Sequence, residues 1–359
     1  MAKVQSRKET EPLNTKYQFC LLCVIAAFLV VLAGCHRSES NHSRLVLSPV
    51  VFNASNAFAE VKALNAIGPR PSGSPGAKKA AEHLLERLRS IGVDATMDEF
   101  EDDAPAGKVV FRNVIGTLPA WNNGEKSETW IILGAHYDTK TGIADNFTGA
   151  NDSASGAGVL LEIARVIKTA SNNLTSNFMF AFFDGEECRQ NYSANDGLHG
   201  SRRLARQLQQ DGRAAKARAV IILDMIGDRD LSVTIPRNST SYLISGLFKA
   251  AAEENTRGKF ALYDLEMLDD HQPFLASGMP AIDIIDFEYG SQPGKNDYWH
   301  TPEDTIDKLS PASLEIIGRT VLRLLDDLVY RGPMPAILTS DQRHVSYFVC
   351  RIRELLIAG

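Results

Sequence analysis

The sequence predicts an α/β fold, and two patterns carry that reading. Short apolar runs of strand length, residues 130–133, 178–183 and 219–223, alternate with longer stretches whose apolar residues recur at helical spacing. Each run is nearly continuous rather than alternating, as in strands buried on both faces of a parallel or mixed sheet. Strands and helices in alternation close as an α/β sandwich. The chain has 359 residues, 23% of them charged, which suits a globular protein with a large core. A formal net charge of −6 argues against a nucleic-acid partner, which would require a basic face.

The elements follow in order. A first helix is expected over 54–67, with Phe58, Val61, Leu64 and Ile67 on one face, stopped by Gly68-Pro69-Arg70-Pro71-Ser72-Gly73. Ser74 as N-cap and Pro75 in the first turn open a second helix that ends at Gly92, with Ala80, Leu84, Leu88 and Ile91 inward. Strands are expected near 95–100, 109–118 and 129–135. Asp152 is expected to open a helix to Ile167 whose small residues (Ser153 to Gly158) allow close packing under a site. Strand 177–183, helix 200–209, strand 218–224, helix 242–254 and strand 281–286 come next. A closing helix over 311–329 turns Leu314, Ile317, Val321, Leu324, Leu325 and Leu328 inward. No linker divides 53–332, which reads as one catalytic domain, and 333–359 reads as a helical C-terminal tail.

The N-terminus reads as an export signal. Lys3, Arg7, Lys8 and Lys16 precede an apolar stretch and then Leu32-Ala33-Gly34-Cys35. That ending resembles a bacterial lipobox. The resemblance implies a signal peptide over 1–34, a lipidated Cys35, a polar tether over 35–52 and a membrane-anchored periplasmic lipoprotein. His36, rather than aspartate, after Cys35 favours the outer membrane by the same resemblance. Cys188 reads as a packed thiol, with a Cys188–Cys350 bond as the alternative.

Five segments carry the chemistry: His136-Tyr137-Asp138, Asn151-Asp152-Ser153, Asp184-Gly185-Glu186-Glu187, Leu223-Asp224-Met225 and Trp299-His300-Thr301. Three of them end apolar runs, and strand carboxyl ends are where open α/β sheets bind ligands. A single acidic strand end would read as a solvated cap, but three with the same polarity read as a metal site. Imidazole and carboxylate suit zinc. Asp152, Glu187 and His300 supply three ligands and leave an open position. His136 and Asp224 complete a second zinc bridged by Asp152, or support the first. Glu186, beside a ligand, is placed as a general base. Asp138, two residues after His136, is its natural orienting partner.

Together these motifs resemble the co-catalytic zinc aminopeptidase superfamily, which includes bacterial leucyl aminopeptidases and the animal-type glutaminyl cyclases. The resemblance runs from about residue 54 to 330, with Gly68-Pro69-Arg70-Pro71 and Gly200-Ser201-Arg202 as further points. It implies a three-layer α/β/α sandwich around a mixed, mostly parallel twisted sheet.

Three features are most similar to the cyclases. They are a long insert between Glu187 and Gly200, the segment Leu268-Asp269-Asp270-His271-Gln272-Pro273-Phe274 where peptidases commonly carry Ser-Asp-His, and Trp299 before His300. The chain departs from them at Tyr192, where they carry tryptophan, and in a longer, more polar loop over 288–297. The cyclase resemblance implies one zinc, conversion of a peptide's N-terminal glutamine to pyroglutamate with loss of ammonia, and Glu186 as the proton carrier. It also implies a hydrogen-bonded Asp269–Asp224 acid pair and a pocket lined by Trp299 and Tyr192. The peptidase alternative uses two zincs and an activated water to release N-terminal residues. A surface lipoprotein that binds without catalysis is a third reading, disfavoured by the complete ligand set.

Overall fold

The computed structural model describes residues 47–330 other than 106 and 123. Cys35, Cys350, the expected signal peptide over 1–34, most of the tether and the tail over 333–359 lie outside the described residues.

The chain opens with helices α1 (Ala54–Ile67) and α2 (Pro75–Ile91), then a long hairpin of β1 (Asp94–Ala104) and β2 (Gly107–Leu118). There follow β3 (Trp130–His136), α3 (Ala154–Thr169), β4 (Asn177–Phe183), α4 (His199–Gln210) and β5 (Ala217–Asp224). The remainder is β6 (Val233–Pro236), α5 (Ser241–Glu253), β7 (Phe260–Tyr263), α6 (Gln272–Ala276), β8 (Ala281–Ile285) and α7 (Pro311–Tyr330).

Six strands form the central sheet in the order β1-β2-β4-β3-β5-β8. The β1–β2 and β2–β4 pairs are antiparallel, while β4–β3, β3–β5 and β5–β8 are parallel. A two-stranded parallel pair, β6 with β7, stands apart from it.

The continuous apolar runs are explained by this sandwich. Phe178, Phe180 and Phe182 pack into the core beneath α1, α2, α3, α5 and α7, whereas Met179, Ala181 and Phe183 pack against α4 and α6. Ile131, Leu133 and Ile221 share the first side, and Ile132, Val220 and Ile222 the second. Alternate residues of one strand thus enter opposite layers, each fully buried aliphatic or aromatic side chain contributing about 1.5–3 kcal/mol.

Two expectations shift. Residues 47–52, read as the end of a tether, pack onto the domain: Leu47 and Phe52 are buried, and the Leu47 amide donates to Asp326 Oδ1 at 2.9 Å. Gly318 on α7 admits the Phe52 ring, where a Cβ would fall 2.2 Å from it. The helix expected from Asp152 starts at Ala154 instead. Asn151 and Asp152 lie in a turn whose amides donate to Asp304 at 2.7 and 3.2 Å, so a distant carboxylate holds them out of the helix. The close packing expected of this segment is present. A Cβ on Gly156 would lie 2.2 Å from the carbonyl oxygen of Leu223, so only glycine lets α3 approach β5 beside Asp224.

Candidate metal centre

His136 ends β3 and Asp224 ends β5, both on the carboxyl edge of the sheet. Asp184 to Glu187 follow β4 at that same edge, as the apolar runs predict. His300 arrives from the loop between β8 and α7, with its backbone in the left-handed region at φ 53°. A non-glycine residue there costs about 1–3 kcal/mol, strain characteristic of functional positions.

The side chains converge on Asp152. Its Oδ1 lies 3.2 Å from His136 Nε2, and its Oδ2 lies 3.2 Å from His300 Nε2. His136 Nε2 also meets Asp224 Oδ1 at 3.3 Å, and His300 Nε2 meets Glu187 Oε1 at 3.0 Å. Two ligand sets result, His136–Asp152–Asp224 and Asp152–Glu187–His300, each with its donor atoms within 4.8 Å of one another. Imidazole nitrogen with carboxylate oxygen at this spacing fits a borderline divalent ion such as zinc. The residues therefore fit the metal expected of them, in either stoichiometry.

Burial works against the charged form of His300, but contacts with Asp152 and Glu187 outweigh it and raise the imidazole to about 10. A ligating imidazole is neutral, so metal binding here displaces a proton. Burial and the nearby Asp152 raise Glu187 above the usual carboxylate range, against the pull of His300 and Lys140. Lys140 Nζ sits 3.2 Å from Glu187 Oε2 and donates to the Cys188 carbonyl at 2.7 Å, tying one ligand to the backbone that follows it. Among the described residues, Cys188 is a buried free thiol.

Glu186 is buried, and desolvation raises its carboxyl well above the usual range, with Glu187 and Asp269 adding to the rise and His136 opposing it. Tyr192 donates to Glu186 Oε1 at 2.8 Å. The insert that carries Tyr192 is ordered by Asp196, which accepts the amides of Arg189, Gln190 and Asn191 at 2.6, 2.8 and 3.0 Å. Its ends are clasped where the Leu198 amide donates to the Glu186 carbonyl at 2.9 Å. Gly197 lies against Tyr192, leaving room for the ring where a Cβ would come within 2.5 Å of it.

Asp138 does more than orient His136. Its Oδ1 lies 3.5 Å from His136 Nδ1, and its two oxygens also accept the amides of Glu186 and Glu187 at 3.1 and 3.3 Å. Asp269 lies within the field of Asp224, and burial with that charge holds its carboxyl well above the usual range. The expected hydrogen bond between the two is replaced: Asp269 Oδ1 accepts the backbone amide of Asp270.

Asp152, Asp224 and His300 open onto a cavity of about 120 Å³ that Glu186, Tyr192, Asp269, Phe287 and Trp299 also line. Trp299 stacks on His300 with centroids 4.1 Å apart, and Phe287 meets Trp299 edge-on at 5.0 Å. The expected site residues that lie within the described chain are thus brought together; Cys35 lies outside it.

Sequence reasoning passed over four supporting residues: Arg70, Lys140, Phe287 and Asp304. Arg70 is fully buried, and its guanidinium donates to the carbonyls of Tyr137 at 2.9 Å, Leu64 at 3.2 Å, Gly68 at 3.1 Å and Gly149 at 3.3 Å. The Gly-Pro-Arg-Pro string that carries it reads as a helix stop and as a point of family resemblance, neither of which announces a buried guanidinium. Asp304, besides holding Asn151 and Asp152, accepts the Tyr289 hydroxyl at 2.9 Å and so fixes the base of the polar loop over 288–297.

Residues 113–325 match the sequence family described as Peptidase family M28. The glutaminyl-peptide cyclotransferase of Drosophila melanogaster is 28% identical over 281 residues, covering 70% of this chain and 75% of that one. The crystal structure of Acidobacteriales bacterium glutaminyl cyclase superposes with a TM-score of 0.73 at 34% identity, covering 82% of this chain and 100% of that chain. A Zn-dependent exopeptidase from Parabacteroides distasonis has a TM-score of 0.66 at 26% identity, covering 78% of this chain and 99% of that chain.

Proposed function

The chain belongs to peptidase family M28, and from that premise we propose that it is a zinc-dependent glutaminyl-peptide cyclotransferase. It converts the N-terminal glutamine of peptides to pyroglutamate and releases ammonia. The observation that carries this reading is the insert after Glu187, which sets Tyr192 OH 2.8 Å from Glu186 Oε1 and so closes an aromatic pocket over the candidate proton carrier.

A zinc held by Asp152, Glu187 and His300 would supply Lewis-acid polarisation of the substrate's γ-amide carbonyl. The residues divide the remaining work. Trp299, Phe287 and Tyr192 enclose one glutamine side chain in a cavity far below the about 300–1,000 Å³ of clefts for drug-sized ligands. The α-amine attacks the carbonyl carbon of the side-chain amide (Cδ), the ring C–N bond forms, and the bond from that carbon to the amide nitrogen breaks. Glu186 takes the proton the amine loses and delivers it to the departing ammonia. Desolvation raises the proton affinity of Glu186, which suits a group that must hold a proton before returning it. Asp269 and Asp224 present carboxyl oxygens to the amine. Burial and the neighbouring charge of Asp224 raise the proton affinity of Asp269.

One observation favours a second reading. Asp152 turns one oxygen to each imidazole, which gives two complete ligand sets and suits a two-metal aminopeptidase. Ammonia release from a glutamine-initiated peptide, followed with and without chelator, tests the first reading. Ammonia release that chelator abolishes supports it, and its absence refutes it. We also propose that lipid on Cys35 anchors the enzyme on the periplasmic side, supported by the leader and its Leu-Ala-Gly-Cys ending. No helix of the described residues is long and apolar enough to cross a membrane. Incorporation of a labelled fatty acid that Cys35→Ser abolishes is the expected result; labelling that persists would refute the anchor.

A further inference from the structure

A second cavity, of about 350 Å³, lies between α4 and α6 and is lined by Leu198, Arg202, Arg206, Leu268, Pro273 and Ala276 among others. The Leu268 side chain lines both this groove and the small cavity at the metal centre. Leu268 is itself 46% exposed, an apolar lip between the two. A substrate whose first residue fills the inner cavity must lead the rest of its chain outward, and the groove begins across that lip.

No acidic residue lines the groove, although the whole chain carries a net charge of −6. Its two arginines stand one helical turn apart on α4, so they share a face and repel each other. Arg202 is fixed from the side, its Nη1 donating to the carbonyls of Ser193 and Ala194 at 2.7 and 3.1 Å. Arg206 is exposed and makes no ion pair or side-chain hydrogen bond among the described residues. Asp102, within electrostatic range of Arg206, is engaged by His199 Nδ1 at 3.0 Å. An anion in the groove would relieve the repulsion between the arginines and occupy the donors that Arg206 leaves free.

We infer that the groove between α4 and α6 is the subsite for the residues following the substrate's first, and that Arg206 makes it select acidic side chains there. This rests on the cyclase reading for the identity of the first residue. The groove's own chemistry asks only for a peptide whose second or third side chain is a carboxylate.

The test compares two pentapeptides that begin with glutamine and differ only in glutamate or lysine at the second and third positions. The full chain should favour the acidic peptide in kcat/KM by about three- to tenfold, mostly through KM, and the ratio should shrink as salt rises. Arg206→Glu, a change on an exposed helix surface, should reverse the ratio. Equal kcat/KM values for the two peptides, or a preference that survives Arg206→Glu, would overturn the subsite while leaving the cyclase reading intact. Equilibrium binding of the same peptides, followed by fluorescence anisotropy, keeps the two ideas separate. Acidic-selective binding that depends on Arg206 without any cyclisation would sustain the groove and refute the cyclase; binding blind to charge would refute the groove.

Discussion

Tyr192 donates its hydroxyl to Glu186 Oε1 across 2.8 Å, from a loop that Asp196 holds shut through three backbone amides. The contact joins two features that look independent in the sequence, an insert and a buried carboxyl. It makes the loop part of the reacting centre rather than a decoration on its rim.

Replacing Tyr192 by phenylalanine keeps the aromatic wall and removes the donor. A hydrogen bond to a charged group is worth about 1.5–3 kcal/mol, so kcat should fall by about 10–100-fold with little change in KM. Tyr192→Ala, which also opens the pocket, should raise KM as well. Steady-state kinetics on a glutamine-initiated peptide separate the two. A wild-type kcat in Tyr192→Phe would show that the hydroxyl is idle.

Glu186→Gln preserves shape and removes the proton carrier. It should lower kcat by about 10²–10⁴-fold while zinc content stays at the wild-type level. Asp269→Asn should lower kcat less, since Asp269 orients the amine and does not carry its proton through the whole reaction. Zinc lost together with activity in Glu186→Gln would make Glu186 a ligand and contradict its assignment.

Metal stoichiometry separates the roles of the two ligand sets. Asp152 belongs to both and Asp224 to only one. With a single zinc on Asp152, Glu187 and His300, Asp224→Asn should keep one zinc per chain by elemental analysis, and Asp152→Ala should lose it. Chelation should also lower the unfolding temperature, because a ligand present at 100 times its Kd adds about 2.7 kcal/mol to the folded state. Two zincs in the wild-type protein and one in Asp224→Asn would favour the two-metal arrangement.

Arg70 ties the end of α1, the end of β3 and the Gly149 turn through carbonyls far apart in the chain. Burial pulls its guanidinium down to about 10, against the charges of Asp138, Asp304 and Asp152. Arg70→Lys cannot reach all of these carbonyls, and each buried acceptor left unpaired costs about 1–3 kcal/mol. A loss of about 3 kcal/mol or more is expected, read as a lower urea midpoint at unchanged slope. A midpoint within error of wild type would show that water replaces the guanidinium.

The legibility of the fold and site follows from how local each signal is. The strands that end at His136 and Asp224, and the one that ends at Phe183 just before Glu186, are continuous apolar runs, because both sheet faces are covered, and a run announces its own end. The helices α1, α2 and α7 carry their inward stripes in the sequence. Arg70 and Asp304 were illegible as site residues because their partners lie 67 and 153 positions away. Asp152 reads as helical in the sequence for the same reason: the carboxylate that holds it in a turn comes from Asp304. The pair β6 and β7 escaped notice because each strand has only four residues and one includes a proline. The early burial of Leu47 and Phe52 depends on α7, which closes the chain, so no local pattern marks it.

The most direct measurement places a glutamine-initiated peptide and a leucine-initiated peptide in one tube with purified protein and follows both by mass. A zinc-dependent cyclase makes the first peptide lighter by one ammonia at full chain length and leaves the second unchanged, and chelator stops the reaction. Free leucine with a shortened second peptide, and a first peptide that never loses ammonia, would contradict the cyclase reading.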